Sequence, residues 1–342
     1  MNDDFKKWQL RTDLAYDSVN ECHIEGLNET KEMFKNISII KHDVNEAASK
    51  QLGKPVGIYY TIDLSDVNYH DHEISENIED AVAKVFNELV DRYNLKNKSC
   101  LVVGLGNANV TPDAVGPLTV DNVIVTRHLD LNNQMSDGYS VVSAISPGVM
   151  GTTGIETYDV IESIKNKINV DFIVVVDALA SSSIARVNRT IQITDTGISP
   201  GSGVGNKRKE ISFTTMRVPV FAIGVPTVVD AVSITINTFD YALKYLNLQM
   251  NDQMPKSERL SVNGVGLEYE KIAEPNSEVK EHFFGKIGLL SENEQKDLFK
   301  SILTPNGYNL MVTSKDIDLE VEDLSKIIAW GINKAFHQAI SI

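Results

Sequence analysis

Residues 56–64, Val-Gly-Ile-Tyr-Tyr-Thr-Ile-Asp-Leu, are β-branched and aromatic and predict a strand, with the polar stretch Asp66–Glu73 as the loop that follows. From Ile78 the apolar positions Val82, Val85, Phe86, Leu89, Val90 and Tyr93 recur at helical spacing. They predict a helix with one buried face, capped by Ser75 or Asn77. Cys100-Leu-Val-Val-Gly104 is a short apolar run without alternation, as a parallel strand covered on both faces requires. Asp171–Asp177 and Val218–Gly224 repeat it, each separated from its neighbours by enough chain for a crossover. Between the first two of these runs Thr153-Gly-Ile-Glu156 is a capping box leading into a helix with Ile161, Ile164 and Ile168 on one face. A helical stripe of Val229, Val232, Ile236, Phe239, Leu243 and Leu246 follows the third run. Residues 247–290 then turn polar and aperiodic, which predicts an insertion or smaller lobe. A second capping box at Ser291-Glu-Asn-Glu294 and a final helix over Leu324–Ile340 complete the pattern. The expectation is an α/β fold: a mostly parallel sheet sandwiched by helices.

Composition narrows the functional classes. The chain has 342 residues, 42% hydrophobic and 23% charged, enough apolar material for a packed core. Its formal charge of −15 repels phosphate backbones, so nucleic acid is not an expected partner. A basic protein suits the charge better, although surplus acid also serves solubility alone. Cys22 and Cys100 are the only cysteines, which leaves no disulfide framework and no four-thiolate zinc site. The first residues lack the apolar stretch of a signal peptide, and no run of about 18 apolar residues would span a bilayer. A cytoplasmic, membrane-free protein is expected.

Candidate chemistry gathers where the predicted strands end, because loops and helix N-termini converge there. Asp113 lies in the loop after the Cys100 run, and Asp177 closes the second run. Two carboxylates brought together cannot both ionise easily, so the pair would offer one base and one acid able to activate water against a peptide carbonyl. The plain alternative is that each Asp caps a helix. Gly104-Leu-Gly106 suggests a dinucleotide loop, but Asn109 stands where the third glycine belongs, so the loop including Asn107 is read as shaping a site around Asp113. A second glycine-rich segment, Gly197–Glu210 with Gly201 and Gly203, offers backbone donors beside Lys207, Arg208 and Lys209, either as an active-site loop or as a surface turn. It lacks the lysine spacing of a phosphate loop, and Ser202 lacks the surroundings of a nucleophile. A third loop, Ser146–Gly154 with Gly148, could present an oxyanion hole, or simply lead into a helix. His70 and His72 are read as part of a solvated loop, while His128 follows a β-branched run and is the better neighbour for a site. A zinc ion held by Asp113, Asp177 and a histidine stays open, although no spacing demands it.

Six segments together carry a family resemblance: Arg11-Thr-Asp-Leu-Ala15, Gly104–Pro117, Pro147-Gly-Val-Met-Gly151, Asp177-Ala-Leu-Ala180, Thr196–Glu210 and Ile223-Gly-Val-Pro-Thr-Val-Val-Asp230. The chain resembles the germination proteases of spore-forming Firmicutes from about Arg11 through the terminal helix, including Met311-Val-Thr313, and least between Asn247 and Lys300. The resemblance implies an endopeptidase that degrades small acid-soluble spore proteins in the forespore and spore core, on a fold similar to the hydrogenase maturation proteases. It implies Asp113 and Asp177 as catalytic aspartates, no cofactor or metal, and a homotetramer. It also implies a self-processing zymogen, with residues 1–10 as propeptide cleaved near Trp8 or Gln9 and 11–342 as one catalytic domain. A metal-dependent maturation-type peptidase, a nucleotide-dependent oxidoreductase on the Gly104 loop and a non-enzymatic binding protein are the competing readings.

Overall fold

The computed structural model describes residues 24–201, 208–250, 272–273, 275–303 and 310–340. Contacts divide the chain into two units, residues 1–228 with 313–342, and residues 229–312. The first opens with a hairpin of β1 (Leu27–Phe34) and β2 (Ile37–Val44), whose turn residues Lys35 and Asn36 both have positive φ. Next come α1 (Glu46–Leu52), β3 (Gly57–Asp63), α2 (His72–Arg92), β4 (Cys100–Gly104), α3 (Val115–Asn122), α4 (Arg127–Leu131) and β5 (Val142–Ile145). The series continues through α5 (Met150–Thr153), α6 (Thr157–Ile168), β6 (Phe172–Ser181), β7 (Thr190–Thr194), α7 (Phe213–Met216) and β8 (Val220–Asp230).

The unit boundary falls inside β8. The second unit contains α8 (Ala231–Met250), α9 (Ser277–Phe284), α10 (Glu292–Leu303) and β9 (Met311–Val312), which pairs with the last two residues of β8. Asp230 caps α8 by accepting from Ser233 N at 3.0 Å and Ser233 Oγ at 2.7 Å. Phe239 packs edge-on against Phe284 and Phe299. The Ser291 box forms as expected, with Ser291 N donating to Glu294 Oε2 at 2.8 Å. Helix α9 lies within the stretch expected to be aperiodic, and residues 251–271 lie outside the described residues. The chain returns to the first unit in α11 (Ile317–Phe336).

The strands of the first unit follow the order β1-β2-β3-β7-β8-β6-β4-β5. β4 is parallel to both β5 and β6, as its apolar run predicts, but β1, β2, β3, β7 and β8 pair antiparallel in turn. The sheet is therefore mixed, not mostly parallel. The reason lies in the connections: α3 and α6 lie between β4, β5 and β6 and supply crossovers, whereas only residues 182–189 separate β6 from β7, with no helix long enough to carry the chain back.

Each apolar run resolves into two faces. Val102, Val174, Val176, Phe221 and Ile223 pack with Val82, Phe86 and Leu89 of α2 and Leu324, Ile328 and Ile332 of α11. Leu101, Val103, Ile173, Val175, Val220 and Ala222 pack with Ile161 of α6. Local caps depart from expectation. Asp71, not Ser75 or Asn77, caps α2 by accepting from Glu73 N and Ile74 N. Thr153 ends α5, while α6 starts after Glu156 without a side-chain cap. The terminal helix starts seven residues earlier and stops sooner than its stripe predicts.

Candidate active site

The loop after β4 is closed by its own backbone. Asn107 N donates to both Asp113 Oδ2 at 2.8 Å and Asp113 O at 3.1 Å, and Asp113 N donates to Val110 O at 2.7 Å. Pro112 opens the 3-10 turn Thr111–Asp113, and its carbonyl accepts from Thr227 Oγ1 at 2.6 Å. Gly106, with φ +109°, permits the reversal: a Cβ there would stand 2.0 Å from Asp113 O. The start of α3 is pressed onto the strand ends. Leu105 N donates to Val176 O at 2.8 Å, and a Cβ on Gly116 would lie 2.2 Å from Leu105 O and 2.6 Å from Val176 O. These contacts seat the turn carrying Asp113 against β6. Asp113 is not a helix cap, since Ala114 occupies the N-cap of α3 and the carboxylate bonds backward to Asn107.

Asp177 is likewise no cap. It lies within β6, 7% exposed, on the face shared by Ile173, Val175 and Leu179, and its Oδ1 accepts from Ala178 N at 3.0 Å. Burial, and then the charge of Asp113, raise its pKa from 3.8 to about 8. Burial also raises Asp113, against the opposing pull of the Asn107 N–H and the Arg208 cation. Both acids are thus harder to ionise than a free carboxyl group, and the charge of Asp113 adds to the effect of burial at Asp177. Arg208 lowers both groups. It lies half-buried in a segment whose base is closed by reciprocal Ile198–Ile211 backbone bonds of 2.9 and 2.8 Å. The arrangement is a buried acid and a half-buried one, both under the pull of the Arg208 cation, suited to moving a proton in each direction at a polar bond.

The sequence profile of the family described as Germination protease matches residues 8–342. Germination proteases of Geobacillus sp., Priestia megaterium and Bacillus cereus are 45%, 43% and 46% identical to the chain, each alignment covering 98% of this chain and 96% of the relative. The chain belongs to the germination protease family. It is therefore a peptidase.

The remaining candidate residues of this family member divide into groups. Asn107 serves through its backbone N–H, while its side chain accepts from Asn109 N at 3.0 Å. Gly148 has φ +72° in the loop after β5, and its carbonyl accepts from Thr157 Oγ1 at 3.3 Å. Gly201 is half-buried with φ +68°. Gly203, Trp8 and Gln9 lie outside the described residues. His128 is exposed on α4, and no described bond ties its ring to the acids. His70 Nδ1 pairs with Asp323 Oδ2 at 2.6 Å and His72 with Glu76 at 3.7 Å. Among the described residues no group of three or more His, Cys, Asp or Glu side chains converges as metal ligands would, and no helix is long and apolar enough to cross a membrane. Gly104 and Gly106 are accounted for by close backbone approach to Gly116 and Asp113, with no need of a dinucleotide. Cys100 is fully buried in β4, which pushes its thiol pKa up and leaves it unsuited to nucleophilic chemistry. Thr227, which anchors Pro112, figures in the sequence only as part of the Ile223–Asp230 segment and carries no role there; its place just past the Val218–Gly224 run was the available signal.

Proposed function

We propose that Asp113 and Asp177 are the catalytic pair of this peptidase and that its substrates are small acid-soluble spore proteins. The observation that supports this is the electrostatic coupling of the buried Asp177 to the half-buried Asp113, which raises the Asp177 pKa to about 8 together with burial. In this reading the Asp113 carboxylate takes a proton from water as the oxygen attacks the scissile carbonyl carbon. Asp177 gives its proton to the departing nitrogen as the C–N bond breaks, leaving a new carboxyl group and a new amine. Arg208 stabilises negative charge developing on the carbonyl oxygen. The Asn107 N–H holds Asp113 Oδ2, and in this reading Oδ1 is the oxygen that takes the proton.

Asp113→Asn and Asp177→Asn tested on purified small acid-soluble spore proteins decide the matter: both variants stay folded by circular dichroism and lose cleavage. Near-normal turnover in either folded variant rejects the pair. Loss of activity on chelation with recovery on adding zinc would favour the metal-dependent alternative. The same reading carries a zymogen that loses residues before Arg11, a homotetramer, residence in the spore core, and kinship of fold with hydrogenase maturation proteases. Intact mass before and after incubation and light scattering test the first two.

A further inference from the structure

The parallel side of the sheet ends in a strand whose outer edge is half closed. β5 pairs with β4 from Cys100↔Val142 to Val103↔Ile145 and is the last strand on its side among the described residues. Cys100 N donates to Val141 O at 2.9 Å, so the backbone groups of Val141, Ser143 and Ile145 face β4, and those of Val142 and Ala144 face outward. The first outward position is occupied: Thr126 N donates to Val142 O at 2.9 Å, and Val142 N donates to Thr126 Oγ1 at 2.9 Å. The second is not. Ala144 packs its methyl group against the core, while its N–H and C=O have no partner among the described residues. Exposed Ser146 is next in the alternation and is also unpartnered there. Pro147, which lacks an N–H, falls on the opposite parity and removes no outward donor.

The open stretch therefore lies at the carboxyl end of β5, the end at which β4 and β6 deliver Asp113 and Asp177. We infer that the Ala144–Ser146 edge docks an extended segment of the substrate polypeptide as an added strand, held by main-chain hydrogen bonds. This inference rests on the peptidase reading of the acid pair. A second copy of the chain suits the edge poorly, because two outward residues closed off by Thr126 give too short a ladder for a stable strand pair between subunits. The opposite edge, β1, offers eight residues but carries Glu29, Lys31 and Glu32 along it, which discourages pairing.

Strand spacing sets the reach. From β6 across β4 and β5 to an added strand is about 14 Å at roughly 4.8 Å per step, and an extended chain covers about 3.3 Å per residue. The docked segment thus sits about four residues from the scissile bond, and recognition there reads backbone instead of side chains.

The test is an N-methyl scan of a synthetic peptide spanning a cleavage site mapped in a small acid-soluble spore protein, with at least six residues on each side. The expected result is that methylation at alternate positions about three to six residues from the scissile bond, on one side, raises KM about tenfold at unchanged kcat, while intervening positions tolerate it. Ala144→Pro raises KM for the parent peptide and flattens that alternation. Uniform tolerance across the window overturns the docking inference, and so does a folded Ala144→Pro enzyme with unchanged KM. The scan itself needs no variant, so a misfolded Ala144→Pro leaves it decisive. A parent peptide that the enzyme does not cleave overturns the substrate reading and this inference together.

Discussion

Two places in the first unit bury an aspartate, and burial raises the pKa of both, yet they are built to opposite ends. Asp195, just past β7 on the antiparallel side, has each oxygen engaged. Oδ1 accepts from Ile58 N at 2.8 Å, and Oδ2 accepts from Tyr93 Oη at 3.0 Å, with Arg92 also pulling its pKa down. It is a staple between β3, β7 and the end of α2. Asp177, on the parallel side, accepts a single described bond from its neighbour Ala178 and faces a second acid. The half-buried Asp195 is balanced by partners, whereas the more deeply buried Asp177 is left partly unbalanced. That residual imbalance keeps a proton available at neutral pH.

Substitutions separate the two roles. Asp177→Asn lowers kcat by about 1000-fold or more while circular dichroism is unchanged, whereas Asp195→Ala leaves kcat within a factor of two and lowers stability to urea by about 2 kcal/mol. Equal activity losses at both positions would erase the contrast. Gly116→Ala forces α3 off the ends of β4 and β6 and costs about 1–3 kcal/mol, with activity falling because Asp113 moves with the loop; a thermal melt and a rate assay on one preparation read both.

Proton linkage sharpens the comparison further. Unfolded Asp177 loses its proton near pH 4, and folded Asp177 only near 8. The native state therefore binds more protons across that window, and its stability falls as pH rises by up to about 1.4 kcal/mol per unit. Asp177→Asn removes this loss, so its Tm gain over the parent is near zero below pH 4, grows between pH 4 and 8, and then levels off. Arg208→Gln lowers kcat, because the charge that steadies the carbonyl oxygen is lost, and the smallest effect is the pH shift that accompanies it. The Arg208 cation lowers both acids, so both limbs of the pH–rate profile should move to higher pH, by about half to one unit, a shift that pre-steady-state rates at fixed ionic strength can resolve.

Much of the layering was readable because buried strands need apolar residues whatever surrounds them. β3, β4, β6 and β8 announce themselves by composition, and the stripes of α2, α8 and α11 by period. The hairpin of β1 and β2 was not readable in that way. β1 is nearly all exposed and polar, so its strand character comes from pairing with β2. β7, Thr190–Thr194, alternates Ile with polar residues that are nonetheless buried, and its place between β3 and β8 extends the antiparallel side of the sheet. Asp113, Asp177 and Asn107 were legible as loop and strand-end chemistry. The way Asn107 acts was not, since its contribution is a main-chain N–H that any residue there would carry. Arg208 stood out only as one cation in a run of three, and proximity to the acids singled it out.

Sequence alone was enough to establish the family and the α/β layering and to single out the two acids as candidates, because apolar periodicity and motif spacing are local properties of the chain. How strongly each acid resists ionisation, that Arg208 acts on both, and which strand edge stays open among the described residues were decided by the tertiary structure. Those properties depend on burial and on distances between segments that meet only when the glycines at 104, 106 and 116 let backbone close on backbone.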